Sequence, residues 1–157
     1  MKKIPILEYI DKMISGNLQE GEKTYFNYPT PISNTLSIEI IGIKPGEAKL
    51  AINTNTELHG NQQGTIHGGL LCELADAAIG TAHSTIVMEG ESFTSIDFKI
   101  NFFRPVWNDR LTAYAEPINK GRTITTYKCD IFKSDGKLAA SAVSLVMTLN
   151  GDRAKGR

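Results

Sequence analysis

The feature that most limits what this chain can become is a helix with almost no polar side. From Gly64 to about Val87, the residues Leu70, Leu71, Leu74, Ala75, Ala78, Ile79 and Ala82 recur at three- and four-residue spacing, which period-two alternation cannot reproduce. Between Gly68 and Ala82 only Glu73 and Asp76 carry charge. A helix that is apolar nearly all round needs other elements around it. The remainder of the chain is therefore expected to wrap it.

Strand-like runs are available on both sides. Leu36, Ile38 and Ile40 alternate like a strand that ends at the Pro45-Gly46 turn, and a second strand from Glu47 to about Asn53 completes a hairpin. After the helix come four runs, about 92–103, 111–117, 123–132 and 138–149, joined by turn residues at 105–109, 119–121 and 134–136. Short connections make the sheet antiparallel. The expected class is α+β, a curved antiparallel sheet of five to six strands around one long central helix. Ahead of this, Ile4, Leu7, Ile10, Met13 and Ile14 predict a short amphipathic helix, with Pro5 in its first turn and Gly16 at its end. An irregular connection follows, so residues 1–33 are read as an N-terminal segment, 34–150 as the domain and 151–157 as a polar tail.

The length of 157 residues suits one domain. Lys plus Arg (17) balance Asp plus Glu (17), so no overall field draws nucleic acid or an anionic membrane, and neither is expected as a partner. No window approaches the roughly 20 apolar residues of a membrane span. Glu8, Asp11 and Lys12 interrupt the apolar run after Met1-Lys2-Lys3 too early for a secretion signal. Cys72 and Cys129 lie in apolar segments without CxxC or metal-like spacing, which predicts free buried thiols. A cytoplasmic protein is the expectation.

The chemistry concentrates where the helix opens, in Gly64-Thr-Ile-His67-Gly68-Gly69-Leu-Leu-Cys-Glu73-Leu-Ala-Asp76. The first turn of a helix offers unpaired N–H groups and the positive end of the dipole, and glycine lets a ligand approach the backbone. A carbonyl oxygen becoming negative there would gain about 3 to 4 kcal/mol per well-placed donor. Asp76 is the second half. A carboxylate on a helix enclosed by apolar surface is costly unless it is paired, hydrogen-bonded or at work.

These residues resemble the central motif of the hotdog-fold acyl-CoA thioesterases, in particular the phenylacetate-pathway enzymes. Asn61 lies six residues before His67 and Asp76 nine after it, and Ser95-Ile96-Asp97 leads into Phe102-Phe103-Arg104-Pro105 as in the strand that follows the helix in that family. The resemblance covers roughly residues 34–149. It implies the hotdog fold and hydrolysis of an acyl-CoA with neither metal nor cofactor. It also implies Asp76 as catalytic carboxylate, Asn61 as an active-site residue and Ser95 as an assistant, in sites composed at a subunit interface.

Spacing points the same way. Gly68 and Asp76 are eight residues apart, roughly 12 Å of helix at about 1.5 Å per residue. One thioester carbonyl cannot touch both, so donor and carboxylate are expected from different copies in a homodimer, or in a dimer of dimers. Asp76 would attack the carbonyl or activate water, two routes the sequence leaves open. Gly68 N–H would polarise the carbonyl, His67 would hold the loop or bond substrate, Asn61 would orient water or the carboxylate, and Ser95 would position the water.

Gly69, Arg104, Lys120 and Arg122 are candidate substrate contacts, the last three for coenzyme A phosphates, although solvated charge is the commoner role for such residues. His59 and His83 read as structural or exposed, and Glu73 as a surface or interface charge. No histidine pair has zinc spacing. Three rival readings remain: a non-catalytic acyl-CoA binder, which would dispense with Asp76; a hydratase, whose histidine five residues after the aspartate is here Thr81; and a structural protein. Aryl, short and medium aliphatic acyl groups are all compatible with the residues.

Overall fold

The computed structural model describes residues 2–156. Met1, in the expected N-terminal segment, and Arg157, in the expected tail, lie outside the described residues. In chain order the elements are β1 (Lys2–Lys3), α1 (Ile6–Ser15), β2 (Glu22–Lys23), α2 (Pro31–Leu36), β3 (Glu39–Lys44), β4 (Glu47–Asn53), α3 (Thr56–His59), α4 (Gly68–Ser84), β5 (Ser92–Phe102), β6 (Arg110–Lys120), β7 (Ile124–Phe132), β8 (Leu138–Leu149) and a 3-10 turn at Gly151–Ala154. Strands β3 to β8 form one six-stranded sheet in the order β3-β4-β6-β7-β8-β5, antiparallel throughout.

Helix α4 lies across this sheet and touches β4, β5, β6, β7 and β8. Its Leu74, Ala75, Ala78, Ile79 and Ala82 are fully covered, against Leu50 and Ile52 of β4, Leu111 and Ala113 of β6, Tyr127, Cys129 and Ile131 of β7, and Ala142 and Val146 of β8. Small residues on β6 and β8 let the helix approach closely, while Leu and Ile fill the remaining volume. Truncating a side chain such as Leu74 here would cost about 2 to 5 kcal/mol. The sheet of five to six strands around one long helix is thus observed with six.

Three expectations need correction. Leu36 does not begin a strand: Thr30 caps a short helix by accepting from Ser33 N–H, Pro31 opens it, and β3 starts only at Glu39. A hydroxyl cap followed by proline at the first helical position outweighs three alternating apolar residues. The stretch 17–34 is likewise not simply irregular. β2 pairs with β1, and Tyr28 donates its hydroxyl to Ser84 Oγ at 2.7 Å. Around it Ile6, Ile10, Phe26 and Phe93 form a second apolar cluster beside the end of α4.

The third correction concerns α4 itself, which starts at Gly68 rather than Gly64 and is covered on one side only. Gly69 and Asp76 are exposed, and Cys72, Glu73, Ala77 and Gly80 are half-buried. The apparent all-round apolarity came from small residues on the outer face. Asp76 is therefore not enclosed within its own chain, and the burial argument for its importance does not hold at that level.

Candidate active site

The loop before α4 is fixed by its own hydrogen bonds. His67 N–H donates to His59 O at 2.8 Å, Ile66 N–H to Val106 O at 2.8 Å, and Asn61 N–H to Thr65 O at 2.7 Å. The Asn61 side chain ties the same loop together, its Oδ1 accepting from Gln63 and Thr65 N–H and its Nδ2 donating to Thr65 Oγ1. Within one chain Asn61 thus holds the loop and makes no bond to Asp76. His67 is the helix cap, its Nδ1 accepting from Gly69 N–H at 2.9 Å. With Nδ1 accepting, Nε2 is the ring nitrogen left without a partner among the described residues.

This cap decides which backbone donor is free. Gly69 N–H is claimed by His67, whereas Gly68 N–H, at the first helical position, has no acceptor within the helix or among the described residues. The Phe102 ring stands over Gly68: a Cβ built there would meet Phe102 Cζ at 3.1 Å. Glycine therefore admits the Phe102 ring against the helix opening, where a larger residue would have to push it aside.

Asp76 lies two turns further on. Ser95 on β5 donates its hydroxyl to Asp76 Oδ1 at 3.2 Å, which brings together two residues 19 apart in sequence. A bulge makes this possible. Ser95 pairs with Val146 and Asp97 with Leu145, so Ile96 is an extra residue. Without it, side-chain alternation could not turn Ser95 and the later Phe98, Ile100 and Phe102 all toward α4. The slip is visible in the spacing 93, 95, then 98, 100, 102, a break in period that treating 92–103 as one uninterrupted run passes over.

Two cavities flank the helix opening. One, of about 360 Å³, is lined by Gly68, Leu71, Phe102, Phe103, Arg104 and Val106 among others. Arg104 is exposed there and anchored by Nη1 donating to Leu138 O at 2.7 Å. The other, of about 390 Å³, lies on the Gly69 side, bounded by Ile32 and Leu36 of α2, Leu58 and His59 of α3, and His67, Leu70 and Glu73. Burial, and then the neighbouring Asp76, push the Glu73 carboxyl above its ordinary range. Glu73 and the Phe102-Phe103 pair are among the lining residues that sequence reasoning did not assign to the site.

The structure separates the remaining candidates. Ile124 pairs with Met147 and Ser92 with Leu149, while Phe102 pairs with Ala140. Lys120 and Arg122, in the β6–β7 hairpin, thus sit at the opposite end of the sheet from Arg104. His83 is structural: it is buried, with Nδ1 3.2 Å from Tyr127 Oη and Nε2 3.0 Å from Thr148 Oγ1. Burial, then Lys120, lower its pKa to about 4. Both cysteines are free, but only Cys129 is buried as expected: Cys72, on the outer side of α4, is half-buried, and burial pushes the Cys129 thiol up to about 12. Among the described residues no cluster of three metal-ligating side chains occurs, and no helix is long and apolar enough to cross a membrane.

Comparison with known proteins places this geometry. The family model described as "Thioesterase superfamily" matches residues 63–140, the span from the loop before α4 into β8. A putative esterase of Haemophilus influenzae is 33% identical over 87 residues, 55% of this chain and 63% of that protein. A putative esterase of Deinococcus radiodurans is 31% identical over 111 residues, 69% of this chain and 73% of the relative. Acyl-coenzyme A thioesterase 13 of Mus musculus is 27% identical over 129 residues, 81% and 91% of the two chains. Among solved structures, a mutant of the phenylacetic acid degradation protein PaaI from Thermus thermophilus superimposes with a TM-score of 0.69 at 30% identity, covering 75% of this chain and 98% of that one. By motif, fold and these matches, the chain belongs to the thioesterase superfamily, a family of ester- and thioester-cleaving enzymes with the hotdog fold.

Proposed function

We propose that the protein hydrolyses acyl-coenzyme A thioesters, with Asp76 as nucleophile or general base and Gly68 N–H as oxyanion donor. One observation carries the reading: Asp76 stands open on α4 with Ser95 bonded to it, while the amide at the helix opening is left without an acceptor. The similarity to acyl-coenzyme A thioesterase 13 supports a coenzyme A thioester as substrate. In the general-base route, Asp76 takes a proton from water as the oxygen bonds to the acyl carbon. The carbonyl oxygen becomes negative against Gly68 N–H, the carbon–sulfur bond breaks, and the thiolate leaves to take up a proton. Ser95 would orient the carboxylate or the water, and Asn61 and His67 would hold the loop that presents the amide.

The site requires two copies. Along β5, Ser95 marks the level of Asp76 and Phe102 the level of Gly68. β5 is an edge strand with an unpaired side, and Ile96, Phe102, Phe103 and Trp107 are exposed near it. If two β5 edges pair antiparallel about a twofold axis at Lys99, with the extra bulge residue Ile96 left out of the count, Ser95 of one copy faces Phe102 of the other. Each Asp76 then lies at the level of the second copy's Gly68, twice per dimer. The same operation carries Lys120 and Arg122 of one copy to the end of the joined sheet that holds the other's Arg104, where coenzyme A phosphates would be met. Two such dimers would make the tetramer, and the free thiols fit a reducing, cytoplasmic setting.

The test is a panel of aryl, short and medium acyl-CoAs followed by release of free thiol. Wild-type protein is expected to turn over at least one, and Asp76→Ala to lose at least about 100-fold in kcat/KM. An unchanged rate in the mutant would move the chemistry away from Asp76. Binding of acyl-CoA without turnover would favour the non-catalytic binder.

A further inference from the structure

The two cavities at the helix opening adjoin through consecutive residues, Gly68 in one wall and Gly69 in the other, but they differ in charge. A thioester bound with its carbonyl at Gly68 N–H can send coenzyme A into one and its acyl group into the other. The Gly68 side carries Arg104 and two phenylalanines, suited to an anionic, partly apolar arm. The Gly69 side carries Glu73, and none of its lining residues is Lys or Arg. Phosphates are repelled there.

Resting on the acyl-CoA reading above, we propose that the Gly69-side cavity receives the acyl group and that Glu73 restricts it to neutral acyl groups, rejecting thioesters of dicarboxylic acids. Ile32, Leu36, Leu58 and Leu70 give this cavity an aliphatic wall, and Leu58 and Ile32 are 77% and 46% exposed, apolar surface that an acyl chain would cover. The Glu73 carboxyl forms no hydrogen bond or ion pair among the described residues, so no described cation is paired with it. Asp76, one turn further along α4, adds a second negative charge. A carboxylate at the far end of an acyl chain would therefore meet like charge from Glu73 while losing its own hydration to the aliphatic wall. His59 and His67 line the same space, but in each Nδ1 already accepts from a backbone N–H, leaving one ring nitrogen each for a ligand.

The experiment compares kcat/KM for hexanoyl-CoA and adipoyl-CoA, equal in chain length and different by one carboxylate, at pH 8 and low salt. Wild type is expected to prefer hexanoyl-CoA by at least about tenfold, and Glu73→Gln to narrow the ratio by about tenfold, the scale for two carboxylates several ångströms apart at intermediate dielectric. Glu73→Lys should narrow it further, and added salt should narrow it in wild type but not in Glu73→Gln. A ratio unmoved by Glu73→Gln, or a wild-type preference for adipoyl-CoA through the histidines, overturns the proposal while leaving the thioesterase reading standing. Absence of turnover with every thioester overturns that reading, and this proposal with it.

Discussion

The two ends of α4 treat polar groups in opposite ways. At the C-terminal end the side chains of His83, Ser84 and Thr85 are bonded inside the molecule. His83 meets Tyr127 and Thr148; Ser84 donates to Thr81 O and accepts from Tyr28; Thr85 donates to Ala82 O and accepts from Gly46 N–H. At the N-terminal end Gly68 N–H and the Glu73 carboxyl have no partner among the described residues, and Asp76 has only the Ser95 hydroxyl. Buried polar groups stabilise a fold when they are satisfied, whereas groups left open toward a cavity are available to a ligand. Changes at one end should therefore appear in activity and changes at the other in stability.

The largest expected effect is at the open end. Gly68→Pro removes the proposed oxyanion donor while keeping a residue that helices accept at their first position, and His67, at φ −63° and ψ 134°, already has the conformation that precedes proline. The added ring displaces Phe102, an exposed side chain able to move. Turnover should fall by about 100- to 1,000-fold with the protein still folded by circular dichroism. If Gly68→Pro retains full kcat, the donor lies elsewhere and the contrast between the two ends fails.

At the closed end the expected effect is on acid stability. His83 is held neutral in the fold, with a pKa lowered to about 4 from 6.5. The unfolded chain therefore binds more protons below pH 6.5, so this contribution is complete above that value and is lost as pH falls toward 4. It amounts to at most about 3 kcal/mol. Denaturant titrations from pH 7 to 4 should show the decline, with a shallower slope in His83→Asn. Equal slopes would assign acid sensitivity to other groups. The smallest effect is Tyr28→Phe, which deletes the bond to Ser84 and should cost about 1 kcal/mol with kcat unchanged.

The same contrast explains how much could be read without coordinates. The sheet and helix follow from periodicity because Leu74, Ile79, Tyr127 and Ile131 fill their positions with large apolar groups, and side chains of that size have one place to go. The helix opening at His67-Gly68 stands out in the sequence because the first turn of a helix has fixed chemistry, whereas Asp76 is marked by the family resemblance and not by its burial. The outward face of α4 was not, since Gly69, Ala77 and Gly80 count as apolar in a pattern but bury little surface themselves. Arg104 and Lys120 look alike in sequence, and only strand register puts them at opposite ends of the sheet. Glu73 lines a cavity with α2 and α3, two short helices whose approach to α4 no local pattern encodes.

The central claim, that one catalytic unit draws its carboxylate and its amide donor from different copies, is tested most directly by mixing Asp76→Asn with Gly68→Pro. Each parent dimer lacks one element in both sites. A mixed dimer holds one site with both elements intact and one with neither, so differently tagged chains, co-expressed and purified as heterodimers, should recover about half of wild-type turnover per dimer. Heterodimers as inactive as their parents would contradict the account, because that result requires Asp76 and Gly68 of the same chain to act together.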